Sequence, residues 1–174
     1  MRAVKQVTPK EDPSSSSPTL IRSADPDDVP ILVSLAEGTR VFTPSELLGL
    51  AEDFEAYHQG KFHAQDQMLT CEQAGRAVGF AHYGPAEITD GTWYLYWIAV
   101  DRESHGQGFG ARLLQHVEDL IRVAGGRLAL IETSMLPRYD STRRFYLRQG
   151  YRRECVIRDF YSPGDHKAVF SKHL

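Results

Sequence analysis

An apolar strand pattern that runs through a glycine-rich loop directly into a helix pattern constrains this chain more than any other feature. The segment 97–114 reads WIAVDRESHGQGFGARLL, with glycines at positions 106, 108 and 110. Glycine lets the backbone approach a ligand closely and lets successive N–H groups point the same way. The helix that follows adds unpaired N–H groups and the positive end of its dipole. The segment therefore predicts an anion site that suits a diphosphate.

Two well-known phosphate-binding loops do not fit this segment. A dinucleotide fingerprint needs the spacing G-x-G-x-x-G, whereas the glycines here alternate with other residues. A P-loop needs Gly-Lys-Ser/Thr where its helix begins, and the chain has Gly110-Ala111-Arg112. A purely structural turn stays open when the loop is taken alone. If the loop does bind a ligand, the interpretation that is left is a diphosphate held by main-chain N–H groups.

The rest of the chain reads as a single mixed α/β or α+β domain around one sheet, which suits 174 residues. Apolar periodicity and turn signals predict four helices, at residues 25–38, 43–57, 108–124 and 140–149. They also predict seven strands, at residues 19–23, 67–72, 76–83, 92–100, 128–133, 151–157 and 167–171. The predicted domain covers residues 19–174, and residues 1–18, rich in Pro, Ser and charged residues, are expected to be a flexible leader.

Composition argues against several kinds of partner. A formal net charge of −3 and an isoelectric point near 6.2 give no reason to expect nucleic acid. No stretch approaches the roughly 20 apolar residues of a membrane span, and the N-terminus lacks the apolar centre of a signal peptide. Cys71 and Cys155 have no metal-ligand spacing, so no metal site is predicted. Two free thiols favour a reducing compartment, and we expect a cytoplasmic protein.

Residues 100–114 resemble the cofactor motif of the GNAT N-acetyltransferases, Arg/Gln-x-x-Gly-x-Gly/Ala. The pattern falls on residues 105–110, with His105 where the family usually has Arg or Gln. That histidine implies weaker or pH-sensitive cofactor binding, or it is simply solvated. The resemblance implies that acetyl-CoA is bound mainly by main-chain N–H groups and that strand N–H groups polarise the acyl oxygen. The residues it implicates are Ile98, Ala99, Val100, His105, Gly106, Gln107, Gly108, Phe109, Gly110 and Ala111.

Residues 140–152 resemble a second GNAT motif, a short helix that carries Phe-Tyr and is closed by Gly-Phe/Tyr. In the family the tyrosine that matches Tyr146 lies near the acyl-CoA sulfur and protonates the leaving thiolate. Taken alone, the aromatic pair Phe145-Tyr146 favours helix packing, and the first motif is what favours the catalytic interpretation. Tyr139 stands where the family often has an asparagine that contacts the cofactor, which puts that contact in doubt. Arg143 or Arg144 is expected to reach a phosphate, unless both are surface charges.

The proton acceptor and the acceptor pocket are less clearly marked. Some GNAT members carry a glutamate base on the strand where this chain has Tyr94, so Glu132, at the end of a predicted strand, is the best substitute. A carboxylate satisfied by a neighbouring Arg is the alternative. Tyr94 and Tyr96 alternate onto one face and are candidates for substrate contact, although aromatic strand residues mostly serve packing. Phe160, in a predicted loop 159–166, is a further candidate for covering a cationic acceptor, although this loop could equally be a hairpin turn stiffened by Pro163-Gly164.

The resemblance implies an N-acyltransferase that moves an acetyl group from acetyl-CoA to an amine of a small molecule or peptide by direct attack. It also implies a twisted, mostly antiparallel sheet of six to seven strands flanked by about four helices, and a homodimer is common among relatives. A different interpretation is a non-catalytic acyl-CoA sensor module of the same fold. Tyr146 favours the enzyme, and the missing carboxylate at the strand position favours the sensor.

Overall fold

The computed structural model describes residues 18–174. The strands are β1 (Thr19–Ser23), β2 (Gln67–Gln73), β3 (Arg76–Pro85), β4 (Thr92–Val100), β5 (Leu128–Ser134), β6 (Arg152–Ser162) and β7 (Asp165–His173). The helices are α1 (Val29–Gly38), α2 (Pro44–His58), α3 (Phe109–Val123) and α4 (Asp140–Arg148). The strands form one sheet in the order β1-β2-β3-β4-β5-β7-β6, in which only the described pair β4–β5 is parallel. The predicted fold and element order are confirmed.

Two sequence predictions need comment. The predicted leader lies outside the described residues apart from Pro18. The bounds of the predicted loop 159–166 were wrong, because β6 continues to Ser162 and β7 begins at Asp165, so the alternative of a hairpin turn at Pro163-Gly164 is the one that the structure has. Pro163 and Gly164 alone make the turn, since Gly164 adopts a φ of +84° and its N–H donates to the Asp159 carboxylate at 2.7 Å. Among the described helices, none is long and apolar enough to cross a membrane.

The core has two parts, one on each face of the sheet. On one face α3 buries a stripe formed by Leu113, Val117 and Ile121. On the other face α2 buries Leu50 and Phe54. Each stripe has the four-residue spacing of one helical face, so the apolar pattern explains why each helix turns this face toward the core. The two layers hold the central strand β4 between them.

Helix α2 begins where its sequence dictates. The Thr43 hydroxyl accepts from the Glu46 N–H at 3.2 Å, and the Glu46 carboxylate accepts from the Thr43 N–H at 2.7 Å. This reciprocal pair is a capping box, and Pro44 occupies the first turn, where its missing N–H costs nothing. The cap fixes the position at which Glu46 stands beside the cleft described below.

Strands β4 and β5 separate along their length. Their pairing covers residues 92–95 of β4 and 128–131 of β5. Within the described sheet, residues 96–100 and 132–134 have no partner across this gap. The sheet therefore opens at the carboxyl ends of the two strands, close to where α3 and α4 begin.

A β-bulge accompanies the start of this gap. In the β3–β4 ladder His82 pairs with Trp97, but the next pair is Tyr83 with Leu95, so Tyr96 is an extra residue. A bulge bends its strand and increases the local twist. The bend coincides with the point at which β4 leaves β5, because Leu95 is also the last residue paired with that strand.

His82 is buried in β3 in an unfavourable setting for charge. Its side chain is 1% exposed, and neither ring nitrogen has a hydrogen-bond partner among the described residues. The imidazole packs between the rings of Phe62 and Tyr96, with centroids 5.1 and 4.8 Å away. Burial lowers the pKa of His82 to about 4.

We expect folding stability to fall as the pH drops from about 6.5 to about 4. Over this interval His82 becomes protonated in the unfolded state but stays neutral in the folded state. The contribution of this one group is about 3 kcal/mol over that interval, since one pKa unit corresponds to about 1.4 kcal/mol. Urea unfolding at several pH values measures the slope. His82→Phe should reduce it, whereas the exposed His173→Gln should not. Equal slopes in all three proteins would contradict this assignment.

Candidate active site

A cavity of about 1260 Å³ fills the gap between β4 and β5. Its walls come from the carboxyl-terminal halves of these strands, from α2, from the start of α4 and from the β6–β7 hairpin. Residues from each wall include Glu46, Tyr96, Ser134, Tyr146 and Tyr161. The cavity reaches the glycine-rich loop at His105, which also lines it. A molecule in this cleft would therefore contact elements from the N-terminal part of the chain, such as α2, and from its C-terminal part, such as α4.

The main chain of β4 turns polar groups toward the cleft. The N–H of Asp101 donates to the carbonyl of Val78 on β3 at 2.8 Å. Because bonded and non-bonded pairs alternate along an antiparallel ladder, Ala99 also bonds to β3, while the backbone groups of Ile98 and Val100 face the gap. Of the three strand residues predicted at this site, two therefore offer main-chain groups to a ligand.

The loop after β4 presents a row of free donors. The six N–H groups from Gly106 to Ala111 donate no hydrogen bond within the described chain, and the first helical bond of α3 comes from the N–H of Arg112. Gly106 and Gly108 have φ values of +77° and +84°. A Cβ at either position would meet no atom within 4 Å, so the space beside both glycines is open. Free N–H groups at a helix N-terminus form an anion site.

Phe109 and His105 hold this loop in place. The Phe109 side chain is buried in the core, so it anchors the first turn of α3. The Nε2 atom of His105 lies 2.8 Å from the carbonyl oxygen of Val100, and the exposed imidazole thereby braces the loop against the end of β4. The histidine is thus both solvated and bonded to the strand.

Tyr146 enters the cleft from α4, which follows β5 after one short turn. The ring packs against Phe170 and Tyr151, with centroids 5.9 and 6.1 Å away, and the residue is 5% exposed. Its hydroxyl has no hydrogen-bond partner among the described residues, although the residue lines the cavity. Burial raises the pKa of this phenol above its usual value, so it is protonated at neutral pH.

Comparison with known proteins decides the family. A family model described as "Acetyltransferase (GNAT) domain" matches residues 64–153, which is just over half of the chain. A solved GNAT-family structure from Desulfovibrio desulfuricans is 33% identical, with a TM-score of 0.84, over 90% of this chain and 99% of that one. The chain belongs to the GNAT acetyltransferase family.

More distant structures share the GNAT fold. A ribosomal-protein-alanine N-acetyltransferase from Brucella melitensis is 19% identical, with a TM-score of 0.69, over 89% of this chain and 99% of that one. An aminoglycoside 6'-N-acetyltransferase complexed with coenzyme A is 16% identical, with a TM-score of 0.70, over 88% of this chain and 96% of that one. A search of curated proteins gave no match. At these identities the likeness concerns the fold alone.

Two residues that were predicted to contact the cofactor form hydrogen bonds with other residues of the GNAT domain. The Arg143 guanidinium donates to the carbonyls of Ser134 and Leu136 at 2.5 and 3.1 Å and also pairs with Asp140. It therefore ties the end of β5 to the start of α4. The Tyr139 hydroxyl donates to the Glu46 carboxylate at 2.7 Å, which connects α4 to α2. Both side chains shape the cleft through these bonds.

Glu132 faces the cleft of the GNAT domain with a cationic neighbour. Its Oε2 atom lies 2.9 Å from Nζ of Lys167 on β7, and its side chain is 35% exposed. The cation that pairs with the Glu132 carboxylate is therefore a lysine of the adjacent strand, whereas the sequence had suggested a neighbouring arginine as an alternative. Glu132 also lines the cavity that holds Tyr146.

Of the three aromatic residues predicted to contact the substrate, two line the cavity and one does not. Tyr94 and Tyr96 both line the cavity, and their rings stack with centroids 5.8 Å apart and planes 22° apart. Phe160 does not line the cavity formed by the described residues, because it lies on β6 with its ring 3.6 Å from Nζ of Lys167. Its neighbour Tyr161 lines the cavity instead.

Three carboxylates that the sequence analysis did not single out lie near Tyr96. Burial, followed by the charges of Asp66, Glu87 and Asp53, raises the pKa of the Tyr96 phenol. Asp66 is 6% exposed, burial raises its own pKa, and it forms no ion pair within the described residues. The Asp53 carboxylate accepts from Nε1 of Trp97 at 2.7 Å.

Gly84, near the end of β3, was the one sequence signal for Asp66. A Cβ at Gly84 would lie 1.5 Å from Oδ1 of Asp66, so only glycine leaves room for this carboxylate against the strand. A glycine inside a strand pattern indicates the close approach of another group. The glycine was readable from the sequence, but the identity of the approaching group was not.

Proposed function

We propose that the protein is an N-acetyltransferase that transfers an acetyl group from acetyl-CoA to an amine. The observation that carries this proposal is the adjacency of two features at one cleft. The free N–H groups of residues 106–111 adjoin the cleft next to His105, which lines it, and Tyr146, whose hydroxyl has no partner among the described residues, lines it as well. An anion site beside a buried acid suits a donor with a diphosphate at one end and a leaving group at the other.

The residues of the loop fit coenzyme A. Its diphosphate needs several donors that point the same way, and the six free N–H groups supply them without any side chain. The open space beside Gly106 and Gly108 leaves room for the phosphates. The main-chain groups of Ile98 and Val100 face the adjoining gap, where an N–H can stabilise negative charge on the acyl oxygen.

The chemistry requires two proton movements. Bound acetyl-CoA supplies an acetyl thioester, on which the new N–C bond forms while the C–S bond breaks. The amine must lose a proton to become amide nitrogen, and the thiolate must gain one. The groups placed for these tasks stand on neighbouring walls of the same cleft, Glu132 on β5 and Tyr146 on α4.

Tyr146 is proposed to donate the proton to the sulfur. A phenol whose pKa is raised by burial stays protonated at neutral pH, so its hydroxyl is available as a proton donor when the thiolate leaves. Because no described residue accepts a hydrogen bond from this hydroxyl, its proton is free to be given to a ligand.

Glu132 is proposed to take the proton of the amine, directly or through water. Its pairing with Lys167 fixes the carboxylate in the cleft, and one carboxylate oxygen, Oε1, has no ion partner among the described residues. The pH profile of kcat/KM tests this role. Glu132→Gln should remove the acidic limb of the profile, and an unchanged limb would assign the base elsewhere.

The function itself is tested with the purified protein. Calorimetry should show acetyl-CoA binding, and release of free CoA thiol should require an added amine. A panel of amines that includes monoamines, diamines and peptides covers the acceptor classes. Binding of acetyl-CoA without turnover on any amine would favour a sensor module, and the absence of binding would overturn the proposal as a whole.

A further inference from the structure

The acceptor end of the cleft concentrates negative charge. The whole chain is nearly balanced, with 23 acidic and 20 basic residues. Among the described residues that line the cavity, however, six are acidic and only two are Lys or Arg. The acidic residues are Glu46, Asp53, Asp66, Glu87, Glu132 and Asp165, and the basic ones are Lys61 and Arg138. This part of the surface therefore differs from the rest of the protein.

Most of these carboxylates have no cation of their own. Within the described chain, Glu132 alone forms an ion pair, with Lys167. Three others accept hydrogen bonds from neutral donors: Glu46 from Tyr139, Asp53 from Trp97 and Asp165 from Ser134. Like charges in one cavity repel each other, so the empty cleft is electrostatically unfavourable. A bound cation would relieve that repulsion.

Asp66 distinguishes this cleft from an ordinary acidic surface. The residue is 6% exposed and lines the cavity, yet no described Lys or Arg lies within ion-pair distance of it. Burial raises its pKa, against a hydrogen bond from the backbone of His63 and the charge of that histidine. An ionisable carboxylate is costly to bury without a partner. A positively charged ligand is the partner that the cavity leaves room for.

The carboxylates form two groups around two tyrosines. Asp66, Glu87 and Asp53 lie near Tyr96 on β4. Glu132, Asp165 and Glu46 lie near Tyr161 on β6, whose pKa is raised to about 12 by burial and then by these charges. A ligand that reaches both groups would need positive charges at two separate points.

The stacked rings of Tyr94 and Tyr96 complete the acceptor end. Their faces form an aromatic wall beside the first group of carboxylates. Aromatic faces attract ammonium groups and also pack against methylene chains. A flexible chain of methylenes between amino groups matches this wall in both respects.

We propose that the acceptor is a small oligoamine that carries at least two positive charges, one amino group being acetylated while another is held by the carboxylates around Tyr96. This inference rests on the proposed acetyl transfer and names its acceptor class. The attacking nitrogen loses its protons to Glu132 or to water, whereas the anchoring nitrogen keeps its charge. The anchor therefore contributes to acceptor binding and not to the chemistry.

The test compares butylamine, 1,4-diaminobutane and spermidine as acceptors at fixed acetyl-CoA. We expect kcat/KM to rise by about 10-fold with the second amino group, which is the size of one well-placed charge contact. The KM for spermidine should increase with salt, because exposed charge contacts are screened. Calorimetry with spermidine alone measures its binding apart from turnover. A peptide with one lysine and a blocked N-terminus serves as the competing acceptor class.

Two variants test the anchor. Asp66→Asn and the exposed Glu87→Gln should each lower the kcat/KM ratio of 1,4-diaminobutane to butylamine by about 3-fold or more, and leave the Kd for acetyl-CoA unchanged. Glu55→Gln is the matched control, because this exposed residue of α2 does not line the cavity. If Asp66→Asn disturbs folding because Asp66 is buried, Glu87→Gln still tests the anchor.

The two possible failures are distinct. Absence of acetyl-CoA binding overturns the proposed function. Equal kcat/KM for butylamine and 1,4-diaminobutane, or a clear preference for the lysine peptide, overturns only the oligoamine. Failure of spermidine to bind in calorimetry overturns it as well.

Discussion

Tyr146→Phe should lower kcat by about 100-fold or more while leaving the Kd for acetyl-CoA within about 3-fold of the wild-type value. The substitution removes only the hydroxyl, which has no hydrogen-bond partner among the described residues. The ring keeps its contacts with Phe170 and Tyr151, so the core should remain intact. Loss of the proton donor slows departure of the thiolate, and this step is expected to become rate-limiting.

Tyr83→Phe is a matched control for this experiment. Tyr83 is also buried, at 3% exposed, but it does not line the cavity formed by the described residues. Both variants should unfold within a few degrees of the wild type, because neither creates a cavity. Steady-state kinetics and thermal unfolding separate the two effects. A kcat for Tyr146→Phe close to that of Tyr83→Phe would show that another group, or water, protonates the thiolate.

Gly108→Val should raise the Kd for acetyl-CoA by at least about 10-fold. Gly108 has a φ of +84°, which a β-branched residue adopts only with strain, so the first turn of α3 is expected to shift. The new side chain would also occupy the open space beside the free N–H groups. Calorimetric titration of acetyl-CoA measures the loss, and kcat at saturating donor should change much less.

Gly125→Val supplies the control for strain. Gly125 follows the other end of α3 with a φ of +82°, and a Cβ there would also meet no atom within 4 Å. Both variants should lose a similar amount of stability, about 1–2 kcal/mol. Only the change at Gly108 should weaken donor binding. Equal weakening by both would mean that the N–H row does not hold the diphosphate.

The elements of the fold were predictable because each depends on residues that are close in sequence. The capping box of Thr43 and Glu46 spans four residues, and the glycines of the loop span five. Strand β4 was predicted with its observed bounds, since turn residues flank its apolar run. The adjoining ends of β6 and β7 were predicted as loop because polar and charged residues in an exposed edge strand resemble a loop.

The acceptor end could not be predicted because its contacts join distant parts of the chain. Tyr139 reaches Glu46 across 93 positions, and Trp97 reaches Asp53 across 44. Helix periodicity assigns Asp53 to the edge of the buried face of α2 and cannot say which side chain meets it. Asp66 was visible only indirectly, through the glycine that makes room for it.

In the proposed mechanism the donor is bound by peptide groups, which every sequence possesses, whereas the acceptor is bound by side chains. Substitutions at Asp66 or Glu87 can thus redirect the protein to a new amine without weakening its hold on the activated acyl group. In residues 105–111 the backbone conformation is then constrained more than the identity of the side chains. The histidine in place of the usual arginine or glutamine is an example. Laboratory evolution of acceptor choice should accordingly accumulate changes on α2, in the segment between α2 and β2 and in the β3–β4 turn, while the glycine-rich loop stays unchanged.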